Sequence, residues 1–230
     1  MKRLFAMIFS LVMAGQGLAN AATTPNTEDW ELVWTGEVVP SGDPLYSSAL
    51  KGNAHSQYIM GMTFRYKRGV YPLSYKVAAY WLKKAADQGH TGAQRDLAIL
   101  YSSGHGVVRN KAIAVELLEA AAQTGLVSAQ FELAELLWSS DLMFNFDHET
   151  PEQLASNHKR AVYWYKKVSG APKDEELYAA RAMAALAAGY QFGNRVEEDM
   201  SEASLWFSRA CEAGLSRTCA RALELKQQGY

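Results

Sequence analysis

Residues 91–125 read TGAQRDLAILYSSGHGVVRNKAIAVELLEAAAQTG. Small and apolar residues fall at Ala93, Leu97, Ala98 and Tyr101, a three-to-four spacing that places them on one helical face. Ser103-Gly104-His105-Gly106 interrupts that run, because two glycines so close together favour a turn. A second periodic run, Ala114, Leu117, Leu118 and Ala121, closes at Gly125, which suits the C′ position of a helix end. The unit is therefore helix, turn, helix. Alone it cannot bury its apolar faces, so it must stack on units like itself.

The chain supplies such units. Ala129-Gln130 and Leu133-Ala134 repeat Ala93-Gln94 and Leu97-Ala98 after 36 residues. Upstream, Gln57, Met60-Gly61, Phe64 and Gly69-Val70 echo the same order. Downstream, Ala182, Leu186, Ala187 and Tyr190 match Ala93, Leu97, Ala98 and Tyr101 at a constant offset of 89. Second helices recur as well, around Ala78 and Trp81, Ala161 and Trp164, and Ala203 and Trp206. Trp81, Leu117, Trp164 and Trp206 share one slot, which reads as packing. Self-similarity near 36 residues is the mark of a helical solenoid.

The pattern A-Q-x-x-L-A/G-x-x-Y-x-x-G-x-G-V, followed by K/R-A-x-x-W-x-x-K-A-A-x-x-G, resembles that of Sel1-like repeats, relatives of the tetratricopeptide repeat. The likeness covers about residues 52–230. It implies an all-α fold: a right-handed superhelical solenoid of about four Sel1-like helix pairs plus a C-terminal capping helix. The repeats would span about 52–89, 90–125, 126–173 and 174–214, with a half repeat at 215–230. In related repeats the first helix of each pair lines a concave groove. The resemblance thus implies a protein or peptide partner held there, touched by the non-core residues Arg65, Arg95, Asp96, Glu132 and Glu135. Their other reading is solvated helix surface.

Outward from the repeats, residues 1–21 read as a secretory signal peptide. Lys2-Arg3 precede an uncharged apolar run, and Ala19-Asn20-Ala21 fits small-x-small cleavage. The run is short for a bilayer span, so no transmembrane anchor is expected after cleavage. Export to a bacterial periplasm follows as the expectation. Of the 23 Lys and Arg, loss of Lys2 and Arg3 leaves 21 against 24 Asp and Glu, a formal charge of −3. With no basic stripe, nucleic acid is not an expected partner. Residues 22–51 carry the β-branched and aromatic stretch Trp30 to Val39 and read as an arm that caps the first repeat, or as a partner-binding strand. Ser74 is the expected N-cap of the first repeat's second helix.

The third repeat is interrupted. Ala114 and Ala161 lie 47 apart instead of 36, so an insert at 139–157 separates its helices, the second resuming near Ser156 to Arg160. Inserts in repeats map to loops, often on a binding face. Leu142, Met143, Phe144 and Phe146 are costly to leave in water, so they pack on the solenoid or await a partner. Asp141, Asp147, His148, Glu149 and His158 match metal ligands by type but not by spacing, and read as solvated loop charges; no metal and no cofactor is expected.

Cys211 and Cys219 fall in the slots of Ala86 and Ala122, and of Gln94 and Gln130, on helices adjacent in a stacked array. An exported pair should be joined. The C-x7-C spacing resembles the cysteine-rich Sel1-type proteins secreted by Helicobacter; a redox role is the other reading. Some such relatives are linked to penicillin binding, and Ser156-Asn157-His158-Lys159 is a literal S-x-x-K, but its companion S-D-N and K-T-G motifs are absent. The reading is a non-enzymatic periplasmic interaction scaffold. The alternatives are a penicillin-binding or cell-wall-modifying enzyme and a structural envelope or flagellar-motor accessory.

Overall fold

The computed structural model describes residues 43–69, 71–139, 150–193 and 195–230. The signal sequence, most of the N-terminal arm, the aromatic insert residues Leu142, Met143, Phe144 and Phe146, and the charged Asp141, Asp147, His148 and Glu149 lie outside them. Among the described residues the chain forms α1 (Pro44–Leu50), α2 (Ala54–Tyr66), α3 (Tyr75–Ala86), α4 (Thr91–Ser103), α5 (Lys111–Gln123), α6 (Val127–Trp138), α7 (Pro151–Val168), α8 (Glu176–Phe192), α9 (Met200–Glu212) and α10 (Cys219–Gln227). Each helix packs chiefly on the helices before and after it in sequence, as a solenoid requires. The even-numbered helices are the first members of the pairs and the odd-numbered ones the second.

The repeat is legible in its packing. Ala78, Ala114, Ala161 and Ala203 are each fully buried, and so are Ala98, Ala134 and Ala187. These small slots let consecutive helices approach closely. Leu82, Leu100, Leu133, Leu137 and Leu186 fill the space between them. Each such leucine contributes about 1.5–3 kcal/mol by leaving water.

The turns repeat as closely as the helices. Ser74, Asn110 and Asp199 hold extended backbone and accept the N–H of Val77, Ile113 and Glu202 at 3.3, 3.0 and 2.9 Å. Their own N–H groups donate to the carbonyls of Phe64, Tyr101 and Tyr190, each at 3.0 Å. A second device joins a second helix to the following first helix at two of the junctions. Gln57 Nε2 donates to the Ala49 carbonyl at 3.0 Å, and Gln130 Nε2 to the Ala122 carbonyl at 3.1 Å. At the last junction the same slots carry the Cys211–Cys219 disulfide, with Cα atoms 4.9 Å apart. The expected bridge is present, and it replaces a buried side-chain hydrogen bond with a covalent one.

Glycine is indispensable at Gly106, where φ is +74°. A Cβ built there would collide with the backbone of Tyr75 and lie 2.6 Å from Lys76 N. The equivalent position in the last full repeat is Arg195, which takes the same left-handed conformation at φ +75°. His105, beside Gly106, is exposed and stacks on Tyr75 with ring centroids 4.8 Å apart.

Two elements differ from the sequence reading. Residues 44–50 form α1, capped by Asp43, whose carboxylate accepts the N–H of Leu45 at 2.7 Å and the Tyr71 hydroxyl. This helix occupies the place of a second helix, with Ala49 in the Ala86 slot. The second helix of the third repeat begins at Pro151, not near Ser156. Thr150 and Gln153 form a capping box, Gln153 N to Thr150 Oγ1 at 3.2 Å and Thr150 N to Gln153 Oε1 at 2.8 Å. His158 consequently sits inside α7, buried, its ring 6.0 Å from that of Trp138, and not in a solvated loop.

Candidate functional site

The first helices share a stripe of residues that are at least partly exposed, apart from buried Ser128. On α2 it runs Tyr58, Met62 and Arg65; on α4, Arg95, Ile99 and Ser102; on α6, Ser128, Glu132 and Glu135. Helical spacing of three to four puts each set on one face. Cross-helix hydrogen bonds tie the sets together. Arg65 Nη1 and Arg95 Nη2 both donate to Asp96 Oδ1, at 2.9 and 2.8 Å. The Tyr58 hydroxyl donates to Asp96 Oδ2 at 3.2 Å. Arg95 Nη1 reaches on to Ser128 Oγ at 3.3 Å. Three consecutive first helices are thereby linked, α2 to α4 through the Asp96 carboxylate and α4 to α6 through Arg95.

The five residues expected to contact a partner fall into distinct environments. Asp96 is fully buried and is not a surface contact; a lone carboxylate there is tolerable only because two guanidiniums and a phenol saturate it. Arg65 and Arg95 keep 12% and 28% of their side-chain surface, so their outer faces remain accessible. Burial opposes the charge of Arg95, but the adjacent Asp96 outweighs it and the guanidinium pKa is raised. Glu132 is half-buried, and burial pushes its carboxyl pKa up, opposed by Arg95 and Arg181 and reinforced by Glu135. Glu135 is exposed and accepts the hydroxyl of the buried Tyr165. Burial, then the Glu135 charge, raises the Tyr165 pKa.

Beyond these five, the face includes Tyr178 and Arg181 of α8. The Arg181 guanidinium lies 4.5 Å over the Phe131 ring, and the Tyr178 ring is 5.5 Å from that same ring. Tyr178 stands on an extra N-terminal turn of α8. The matching helix α4 has no such turn, so repeat comparison could not flag it.

At the rim, His90 caps α4, its Nδ1 accepting the Ala93 N–H at 3.2 Å. It stacks on Tyr58 at 4.5 Å and lies 5.8 Å from the His55 ring. Burial, then the His55 charge, holds its pKa below the ordinary value.

Two cavities flank α7. One, of about 640 Å³, is lined by Lys111, Glu116, Glu119, Ser156, Asn157 and Arg160 among others. The other, of about 670 Å³, includes His158, Lys159, Tyr190 and Arg195. Ser156 and Lys159 of the S-x-x-K sequence thus line different cavities, and both are exposed. That arrangement does not assemble a serine nucleophile with its base. Among the described residues no group of three His, Cys, Asp or Glu could hold a metal ion, and no helix is long and apolar enough to cross a membrane.

Residues 54–90, 91–126, 127–168 and 180–215 match the Sel1 repeat. An uncharacterized protein of Neisseria meningitidis serogroup B is 30% identical over 136 residues, which are 59% of this chain and 25% of that protein. The chain therefore spans about a quarter of the length of this relative. A Sel1 repeat protein from Oxalobacter formigenes superposes with a TM-score of 0.56 at 24% identity, over 74% of this chain and 63% of that one. A protective antigen of uropathogenic Escherichia coli with an SLR fold gives 0.46 at 22% identity, over 80% and 44%. With four matched repeats built on the stacked helix pairs described above, the chain belongs to the Sel1 repeat family.

Proposed function

We propose that this protein is a periplasmic interaction module that holds a peptide or protein segment along the face of its first helices. Sel1 repeats generally serve as protein–protein interaction scaffolds, which supports the class. One observation carries the reading to this face. Arg65 and Arg95 are held on α2 and α4 by buried Asp96, and Arg95 is tied on to buried Ser128 of α6, so two partly exposed guanidiniums stand on a rigid frame before any partner arrives. Preorganisation of that kind lowers the entropic cost of association. Met62 and Ile99, half-buried between the arginines, add apolar contact.

The test places a photocrosslinking residue at Ser102, on this face, or at Glu116, on the exposed side of α5, in the native host. The Ser102 position should capture a discrete protein and the Glu116 position should not. Equal labelling from both, or none from Ser102, overturns the assignment. For export, periplasmic protein released by osmotic shock should begin within a residue or two of Ala22; full-length protein confined to the cytoplasm would refute it.

A further inference from the structure

The charges on the first-helix face are unevenly distributed, and this points to the chemistry of what it holds. At the α2 end, Asp96 is one carboxylate shared by two arginines, and its second oxygen is already taken by Tyr58. One positive charge is left over. Next to it, Tyr66 is 51% exposed, with the Arg65 guanidinium 5.2 Å and the Arg68 guanidinium 5.5 Å from its ring centroid. Among the described residues no carboxylate lies within ion-pair distance of Arg68, which is exposed. Three guanidiniums therefore converge on one ring and one buried carboxylate; Glu132 offsets part of the charge on the Arg95 side, so the positive excess lies at Arg65 and Arg68, on a chain whose formal net charge is −1.

We infer that this end of the face binds an acidic peptide segment, two or three Asp or Glu side chains close together in an extended stretch. The assignment rests on the proposed groove reading and names its ligand class. Guanidiniums present paired N–H donors that match carboxylates two-to-two, and charge-assisted bonds of this kind are the stronger ones. Arg65 is already oriented by Asp96, and Tyr66 orients Arg68, so little side-chain freedom is lost on binding. Further along, Glu132 and Glu135 turn the face acidic at α6. A nucleic-acid strand would carry its regular phosphates straight into those glutamates. A short acidic run followed by neutral or basic residues meets complementary charge at both ends.

A fluorescein-labelled hexaglutamate peptide, titrated against the full exported chain by anisotropy at low salt, is the direct probe, with hexaserine and oligo-dT as comparisons. Hexaglutamate should bind at least tenfold more tightly than hexaserine, and the gain should fall with added salt. Arg68→Glu, which alters an exposed side chain outside the helix core, should remove most of that gain, while Lys167→Ala on α7 should leave it intact. Hexaglutamate binding no better than hexaserine, or unaffected by Arg68→Glu, overturns the proposal. So does oligo-dT binding with equal strength and the same dependence on Arg68. If Ser102 crosslinks a partner that hexaglutamate fails to displace, the acidic-segment assignment falls and the groove reading stands; absence of any Ser102 crosslink counts against the groove itself.

Discussion

Replacing Ala122 and Gln130 together by cysteine should create a second disulfide two junctions removed from the native one. The two positions hold the slots of Cys211 and Cys219, eight residues apart across the same glycine turn, and Gln130 already reaches the Ala122 carbonyl at 3.1 Å. The native pair has a Cα separation of 4.9 Å, inside the range a bridge needs. Closing a loop of this length stabilises by about 2.6 kcal/mol on the chain-entropy relation. The substitution also deletes a buried hydrogen bond worth about 1 kcal/mol. The oxidised variant should thus exceed the natural chain by about 1.5 kcal/mol, and its own reduced form by up to about 2.6. Since a solenoid opens locally, the readout is hydrogen exchange resolved by segment. Amides of Val127–Trp138 should exchange up to about eightyfold more slowly in the oxidised variant than in the reduced one. Cysteines that stay free under conditions that leave Cys211–Cys219 joined would refute the equivalence of the junctions. A formed bridge that leaves exchange in α6 unchanged would refute the idea that these side-chain staples hold the repeats together.

Three further outcomes follow from the same geometry. Asp96→Ala should cost about 3 kcal/mol in urea unfolding, the low end for breaking a buried ion pair because both arginines retain some solvent access; a cost below about 1 kcal/mol would show the network contributes little. His90 has a depressed pKa when folded, so its neutral form is the stabilising one: no penalty applies above its unfolded value near 6.5, and stability is lost as pH falls from there through the folded value. Protonation also removes the lone pair that caps α4, so the protection factor of the Ala93 amide, its exchange relative to the intrinsic rate at each pH, should fall between pH 7.5 and 5, and His90→Asn, which caps as Asn53 caps α2, should abolish that dependence; an unchanged profile would exclude His90 as its source. Gly106→Ala should destabilise by about 2 kcal/mol or more, combining positive φ with a backbone collision, whereas Gly125→Ala, at φ +93° in open space, should cost about 1 kcal/mol; equal effects in thermal melts would remove the collision from the account.

Much of this architecture is written in local spacing. Apolar residues at three-to-four intervals set the helices, and paired glycines set the turns. A C-x7-C pair across a glycine turn already places two cysteines on neighbouring helices, because one short turn leaves the chain no other course. Even the early start of α7 carries a local signal, the Thr150-Pro151-Glu152-Gln153 capping box, which lies upstream of the A-x-x-W slot that repeats between second helices. Tertiary structure decided the rest. Asp96 reads as an ordinary polar position on α4, and only Arg65, 31 residues earlier, makes its burial tolerable. Tyr178 reaches Phe131 from a turn that has no counterpart in α4. Helix α1 lies in a stretch too short to show periodicity and packs against α2 as a second helix would. Helix formation depends on neighbours within a turn or two, whereas the burial of a charge depends on which distant groups arrive to satisfy it.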